Sequence, residues 1–372
     1  MTRGTSAGAA RPDLPDFPWD SLAGAARRAA AHDGGIVDLS VGTPVDPVPD
    51  LVRDALASVS RVPGYPATHG TAELRETVVA ALRRRHGITG LDPSAVLPTI
   101  GSKELVAWLP TLLGLGRDDV VALPELAYPT YEVGARLAGA SVVRLADEAP
   151  APAGTALRWL NSPSNPTGAV APAEVLAAAV AQAREVGAVL ASDECYLALG
   201  WEAEPVSVLH PAVSAGSFDG LLAVHSLSKS SNLAGYRAGF VAGDRSLVGS
   251  LLAVRKHAGM MMPRPVQQAV VAAMADDAHI AEQRARYGQR RDALRPAMTG
   301  AGLRIERSEG GLYLWCTAGE PCRDTVERLA GFGVLVAPGE FYGPAGARHV
   351  RVALTATDER VAAAVERLAG PA

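Results

Sequence analysis

The chain has 372 residues, 48% apolar and 20% charged, with 38 Gly and 27 Pro, too apolar for a disordered polymer and below the roughly 25–30% Gly plus Pro of a low-complexity one. Its 35 basic and 39 acidic residues leave a net charge of −4, so there is no global positive field to draw nucleic acid or anionic lipid, and no apolar run reaches the roughly 18 residues of a membrane span. Three widely spaced cysteines, Cys195, Cys316 and Cys322, fit neither a disulfide framework nor a zinc site, and the expectation is a cytoplasmic, metal-free enzyme with no nucleic-acid or membrane partner.

In chain order, residues 1–16 are small, polar and Pro-interrupted and read as a flexible arm. A weak helical pattern over 18–31 precedes an alternating strand over 36–42 that ends in Gly42. Thr71 opens a helix to Arg85, with Gly87 as its stop signal. Strand-like runs then follow at 96–100, 120–123, 141–145, 157–160, 188–191, 221–225 and 239–242. Helical patterns between them cover 103–113, 130–138 and 172–186. This βα alternation predicts a mostly parallel, helix-covered sheet. After Asp244 a long helix leads into a helix-rich final third with short strands around 311–315 and 350–354. The expected division is an arm (1–16), the N-terminal part of a small domain (17–45), a large domain (46–257) and a small C-terminal domain (258–372).

Of the 35 basic residues only Lys103, Lys229 and Lys256 are lysines. Codon bias accounts for most of that ratio, yet chemistry that needs a deprotonatable amine has three addresses. Gly4-Thr-Ser-Ala-Gly8 matches GxSxG, but no strand precedes it, and Walker A, GxGxxG and HExxH patterns are absent. Four polar segments instead begin where predicted strands end, the edge at which open α/β sheets bind ligands. Gly101-Ser102-Lys103 either cradles an anion at a helix N-terminus or is an ordinary cap. Asn161 to Gly168 is a twice Pro-fixed turn that orients Asn165, or a plain loop. Asp193, in Asp193-Glu-Cys-Tyr196, follows an apolar strand and needs a cationic partner, which a structural salt bridge would also supply. Lys229, in Ser226-Leu-Ser-Lys229, sits among small hydroxylated neighbours that enclose it.

The run Ser226-Leu-Ser-Lys-Ser-Ser-Asn-Leu-Ala-Gly-Tyr-Arg237-Ala-Gly239 resembles, position for position, the pyridoxal-phosphate attachment signature of class I aminotransferases of fold type I. Asn165-Pro-Thr-Gly168, Asp193-Glu-Cys-Tyr196 and Arg351 in His-Val-Arg-Val-Ala-Leu resemble the family's other motifs in the same order. The resemblance covers nearly the whole chain after the arm. It implies an α/β large domain with a mostly parallel seven-stranded sheet and a smaller α+β domain.

It also implies roles. Lys229 forms the internal Schiff base with pyridoxal 5'-phosphate and shuttles the proton, and Asp193 keeps the pyridine nitrogen protonated. Asn165 and Tyr196 bond the phenolic oxygen, and Tyr128 stacks on the ring or is simply a core tyrosine. Gly101, Ser102 and Lys103 backbone groups, Ser226 and Arg237 hold the phosphate. Tyr65 reaches the phosphate of a neighbouring subunit, which implies a homodimer with shared sites. Arg351 clamps the substrate carboxylate, with the backbone at Gly42 closing over it. Two departures, Ser164 in place of the common Asn and Tyr at the stacking position, remove no required group.

The stretches 39–46, 99–110 and 256–263 look like succinyldiaminopimelate transaminases, which move an amino group between glutamate and N-succinyl-2-amino-6-oxopimelate. Lys103 and Arg264 are the candidate contacts for the distal carboxylates. A broader aspartate or aromatic transaminase and a carbon–sulfur β-lyase share the cofactor. Ser226-x-x-Lys229 also fits the SxxK pattern of acyl-transfer enzymes, against which Lys-Thr-Gly is absent and Ser192-Asp-Glu is a near miss to SDN. A regulator on the same fold would need a helix-turn-helix for which the length leaves no room.

Overall fold

The computed structural model describes residues 14–146 and 149–370; the GxSxG match and most of the expected arm lie outside them. The described part opens with a short 3₁₀ helix (Pro18–Leu22) and runs through α1 (Ala23–Ala30), β1 (Val37–Asp38), α2 (Asp50–Ser58) and α3 (Ala72–His86). The large sheet is then built from β2 (Val96–Ile100), α4 (Ser102–Leu112), β3 (Val120–Pro124), α5 (Thr130–Ala138), β4 (Ser141–Leu145), β5 (Thr155–Asn161), α6 (Ala173–Glu185), β6 (Val189–Asp193), α7 (Pro211–Ser214), β7 (Leu221–Ser226) and β8 (Ala238–Gly243). Helices α8 (Arg245–Ala258), α9 (Arg264–Ala275) and α10 (Ala278–Gly300) follow. The remainder is β9 (Arg304–Glu306), β10 (Tyr313–Thr317), α11 (Cys322–Gly331), β11 (Val334–Leu335), β12 (Ala337–Pro338), β13 (Val350–Ala353) and α12 (Asp358–Ala369).

Among the described residues, seven strands form the main sheet in the order β2-β8-β7-β6-β5-β3-β4. Only β8 runs against its neighbours, so the carboxyl ends of β2, β5, β6 and β7 share one edge. Helices α4, α5 and α8 bury Leu105, Leu109, Tyr131, Val248 and Leu251 on one face with Trp159 and Val224. On the other face α2, α3, α6 and α9 pack Val52, Leu74, Val78, Leu176 and Val270 with Leu190 and Phe240. A smaller body has the antiparallel order β12-β13-β10-β9 and its own core with α1, α10, α11 and α12.

Local signals explain the boundaries. Thr71 caps α3 by accepting from Leu74 N at 3.1 Å, and Gly87 ends it at φ 63. The strand expected over 36–42 is shorter, because Asp38 Oδ1 accepts from Ser40 N at 2.8 Å and from Ser40 Oγ at 2.6 Å and turns the chain. The carbonyls of Ser40 and Gly42 thereby leave the sheet for the site described below. Helix α9, beyond the expected boundary at 257, adds Val266, Val270 and Met274 to the core of the large body; we propose that the smaller body resumes at α10.

Candidate active site

Five connections from the shared sheet edge, those after β2, β3, β5, β6 and β7, together with residues 15–19, 41–43, Tyr313 and Arg351, enclose a cavity of about 750 Å³. It holds Gly42, Ser102, Lys103, Tyr128, Asn165, Asp193, Tyr196, Ser226, Lys229, Arg237 and Arg351, and Gly101 immediately precedes Ser102. Two residues named from the sequence stand apart from it. Tyr65 is 97% exposed, and Arg264, at the start of α9, does not line the cavity.

Lys229 lies just past β7, half-buried, with Nζ donating to Gly42 O. Burial depresses its pKa, reinforced by the Arg351 and Arg237 guanidinium groups. Asp193, the last residue of β6, is buried, and its carboxylate takes neutral donors: Tyr131 OH at 2.9 Å on Oδ2 and Cys195 N at 3.2 Å on Oδ1. Burial raises its pKa against those bonds. A buried carboxylate with no cationic partner among the described residues is set up to receive one.

Asn161, at the end of β5, organises the next loop. Its Nδ2 donates to Asp193 O at 2.9 Å and its Oδ1 accepts from Asn165 N at 2.7 Å. Asn165 Oδ1 in turn accepts from Arg351 Nη1 at 2.8 Å. Arg351 is 2% exposed, gives Nη2 to Ser40 O at 2.7 Å and leaves Nε without a partner. Tyr313, 4.0 Å from ring centroid to guanidinium, Tyr342 and Trp19 surround it. No carboxylate neutralises it among the described residues, which suits an incoming anionic substrate.

Arg237 lies against Gly101, where an ideal Cβ would overlap its guanidinium and where φ is +73. Glycine therefore serves both the backbone turn and the close approach. The first amides of α4, which a helix leaves without partners, begin at the next residue, so guanidinium and amides converge in an anion cradle. At Gly42 a Cβ would strike Tyr313 Oη.

Three site residues were missed from the sequence. Tyr131 bonds Asp193 and stacks on Trp159 at 4.7 Å, Tyr313 bonds Tyr196 OH at 3.0 Å, and Trp19 covers Arg351. Tyr131 carries no signal beyond its place as the second residue of α5, and Tyr313 and Trp19 come from distant stretches of chain. Tyr128 lies edge-on to Tyr131 at 5.7 Å, its phenol pushed up to about 12 by burial.

An enclosed amine, a buried carboxylate lacking a counter-cation and an anion cradle together fit pyridoxal phosphate, and the fold is that of fold type I enzymes that use it. Residues 35–368 match the family Aminotransferase class I and II, and the chain belongs to that family. It is 67% identical over 357 residues, 95% of this chain and 85% of the other, to a probable aminotransferase of Mycobacterium tuberculosis, Rv1178. It is 58% identical to the 4-dedimethylamino-4-oxo-anhydrotetracycline transaminase OxyQ of Streptomyces rimosus, covering 96% of this chain and 99% of that one. Among solved structures it is similar to a probable N-succinyldiaminopimelate aminotransferase from Thermus thermophilus, with TM-score 0.85, 30% identity, and coverage of 95% and 99%.

Proposed function

We propose that this aminotransferase moves an amino group between glutamate and N-succinyl-2-amino-6-oxopimelate in a ping-pong cycle. The observation that carries the acid specificity is Arg351, a buried guanidinium without a counter-ion among the described residues, whose planar fork matches a substrate carboxylate. When bound, pyridoxal phosphate supplies an electron-withdrawing ring that stabilises negative charge at the substrate α-carbon. Lys229 Nζ would hold the cofactor and carry the proton to and from that carbon, a task its burial-lowered pKa favours. Asp193 would accept from the pyridine nitrogen, Asn165 and Tyr196 would bond the phenolic oxygen, and Tyr128 would cover the ring. The Gly101, Ser102 and Lys103 backbone, Ser226 and Arg237 would hold the phosphate, and the Gly42 backbone would close over the substrate.

In this reading Tyr65 completes a neighbouring copy's phosphate site, and its 97% exposure is consistent with a homodimer that shares its sites. The Lys103 ammonium, 5.8 Å from the Phe17 ring at the cavity wall, is the candidate contact for distal carboxylates; Arg264, outside the cavity of its own chain, would serve only across the dimer. A second reading takes support from the relation to OxyQ and from the aromatic side chains of Phe17, Trp19 and Tyr128 among the residues lining the cavity: a fused-ring ketone as amino acceptor. Steady-state assays of the purified holoenzyme with glutamate and each acceptor separate the two. Parallel-line kinetics with the succinylated oxo acid support the first, turnover of only the polycyclic ketone supports the second, and glutamate-independent release of pyruvate and ammonia from cystathionine would mark a lyase instead.

A further inference from the structure

A second cavity of about 640 Å³ lies behind the loop that presents Asn165. It is bounded by β5, α6 and the β9–β10 side of the smaller body, and Lys229 does not line it. Among the charged side chains that do, Arg158 alone is buried, at 5% exposure. Its Nη1 donates to Gln182 Oε1 at 2.8 Å and its Nη2 to Ala149 O at 3.2 Å. Both acceptors are neutral, and among the described residues no carboxylate pairs with it. A guanidinium has five donors, and a buried charge without a counter-charge is costly; burial indeed pulls its pKa down.

The rest of the wall is mostly apolar, with Leu160, Val170, Val175 and Trp315. Trp315 stacks at 4.9 Å on His349, whose Nδ1 is buried without a partner. Of the other charges, Glu306 is engaged by Arg304 and His349, while Arg307, Glu125 and Glu174 are exposed. Arg307 and Ser308, at φ +55 and +79, hold this wall in a left-handed backbone that non-glycine residues seldom adopt.

We propose that this cavity is a binding site for an organic carboxylate with an apolar body, separate from the substrate site, with the acid group on Arg158 and the body along the Leu160–Val170–Trp315 wall. Its occupant would touch Ser162, Ser164 and Thr167, the loop that carries Asn165, and Trp315, the register partner of Arg351 in the β10–β13 ladder. The site is thus joined to the substrate-carboxylate clamp through two short backbone paths.

The test is a titration of the holoenzyme with 2-naphthoate, read by naphthoate fluorescence, with the Arg351 site first saturated with glutarate. The expected result is saturable 1:1 binding that glutarate leaves unchanged, at least tenfold weaker in Arg158→Gln and lost in Val170→Trp, which fills the cavity while keeping the guanidinium. Absence of saturable binding, displacement by glutarate, or equal affinity in wild type and Val170→Trp would overturn the proposal. Val170→Trp keeps the question decidable if Arg158→Gln fails to fold.

Discussion

Arg351 shows how a single residue binds the site together: one nitrogen goes to Asn165, one to Ser40 O, and the third is left open. Replacing it with lysine keeps the charge but loses the planar fork. The loss of about one charge-assisted hydrogen bond, roughly 2 kcal/mol, should raise the KM for glutamate roughly 30-fold while kcat falls less, and steady-state kinetics reads both. Tyr131→Phe keeps the stack on Trp159 and removes one of the two side-chain and backbone donors holding Asp193 ionised. A several-fold weaker pyridoxal phosphate Kd and a shifted pH dependence of the bound chromophore are expected; an unchanged profile would mean Tyr131 only packs. That Lys229, Asp193, Asn165, Arg237 and Arg351 meet at one cavity was legible in the sequence because the motifs carrying them resemble those of the family. Tyr131 and Trp19 were not, because their roles depend on which distant residues the fold brings beside them.

At the scale of elements, strand and helix positions were read within a few residues wherever apolar runs alternated with capped helices, as at Thr71–Gly87 and β2. Helix α2, nine residues after a Pro-rich approach, gave no long periodic signal, and the two-residue β1 and β11 exist only because each finds the other across the fold. Placement of α9 also escaped local reading, since its contacts with α2 and α3 join segments nearly 200 residues apart. Two substitutions probe element ends. Thr71→Ala removes the α3 cap and should cost about 1 kcal/mol in denaturant unfolding with cofactor affinity intact. Gly101→Ala, at a positive φ and against Arg237, should instead weaken cofactor binding tenfold or more in a reconstitution titration while changing the unfolding midpoint less.

The pH dependence of stability belongs to the whole molecule, because it sums every group whose protonation differs between the folded and the unfolded chain. Burial pushes His225 down to about 3 and His86 to about 4, and lifts Glu194, 3.5 Å from His225, to about 7. Below the ordinary histidine value near 6.5, the unfolded chain takes up protons on both histidines that the folded chain refuses, so acidification destabilises the fold. Between about pH 7 and 4.5 folded Glu194 holds a proton that its unfolded counterpart releases, which opposes one of the two. The net prediction is a loss of stability from about pH 6.5 down to about 4, flattened in His225→Phe, measured by urea midpoints across that range. Assembly belongs to the same scale: the shared-site proposal for Tyr65 predicts a dimer in sedimentation and a weaker pyridoxal phosphate Kd in Tyr65→Phe.

The chemistry of the site depends on which amine holds the cofactor. Borohydride treatment of the holoenzyme followed by peptide mapping addresses that directly: the account predicts a phosphopyridoxyl group on the peptide carrying Lys229 and none on those carrying Lys103 or Lys256. Label on either of the other two lysines, or a protein that takes up no pyridoxal phosphate to be fixed, would contradict it.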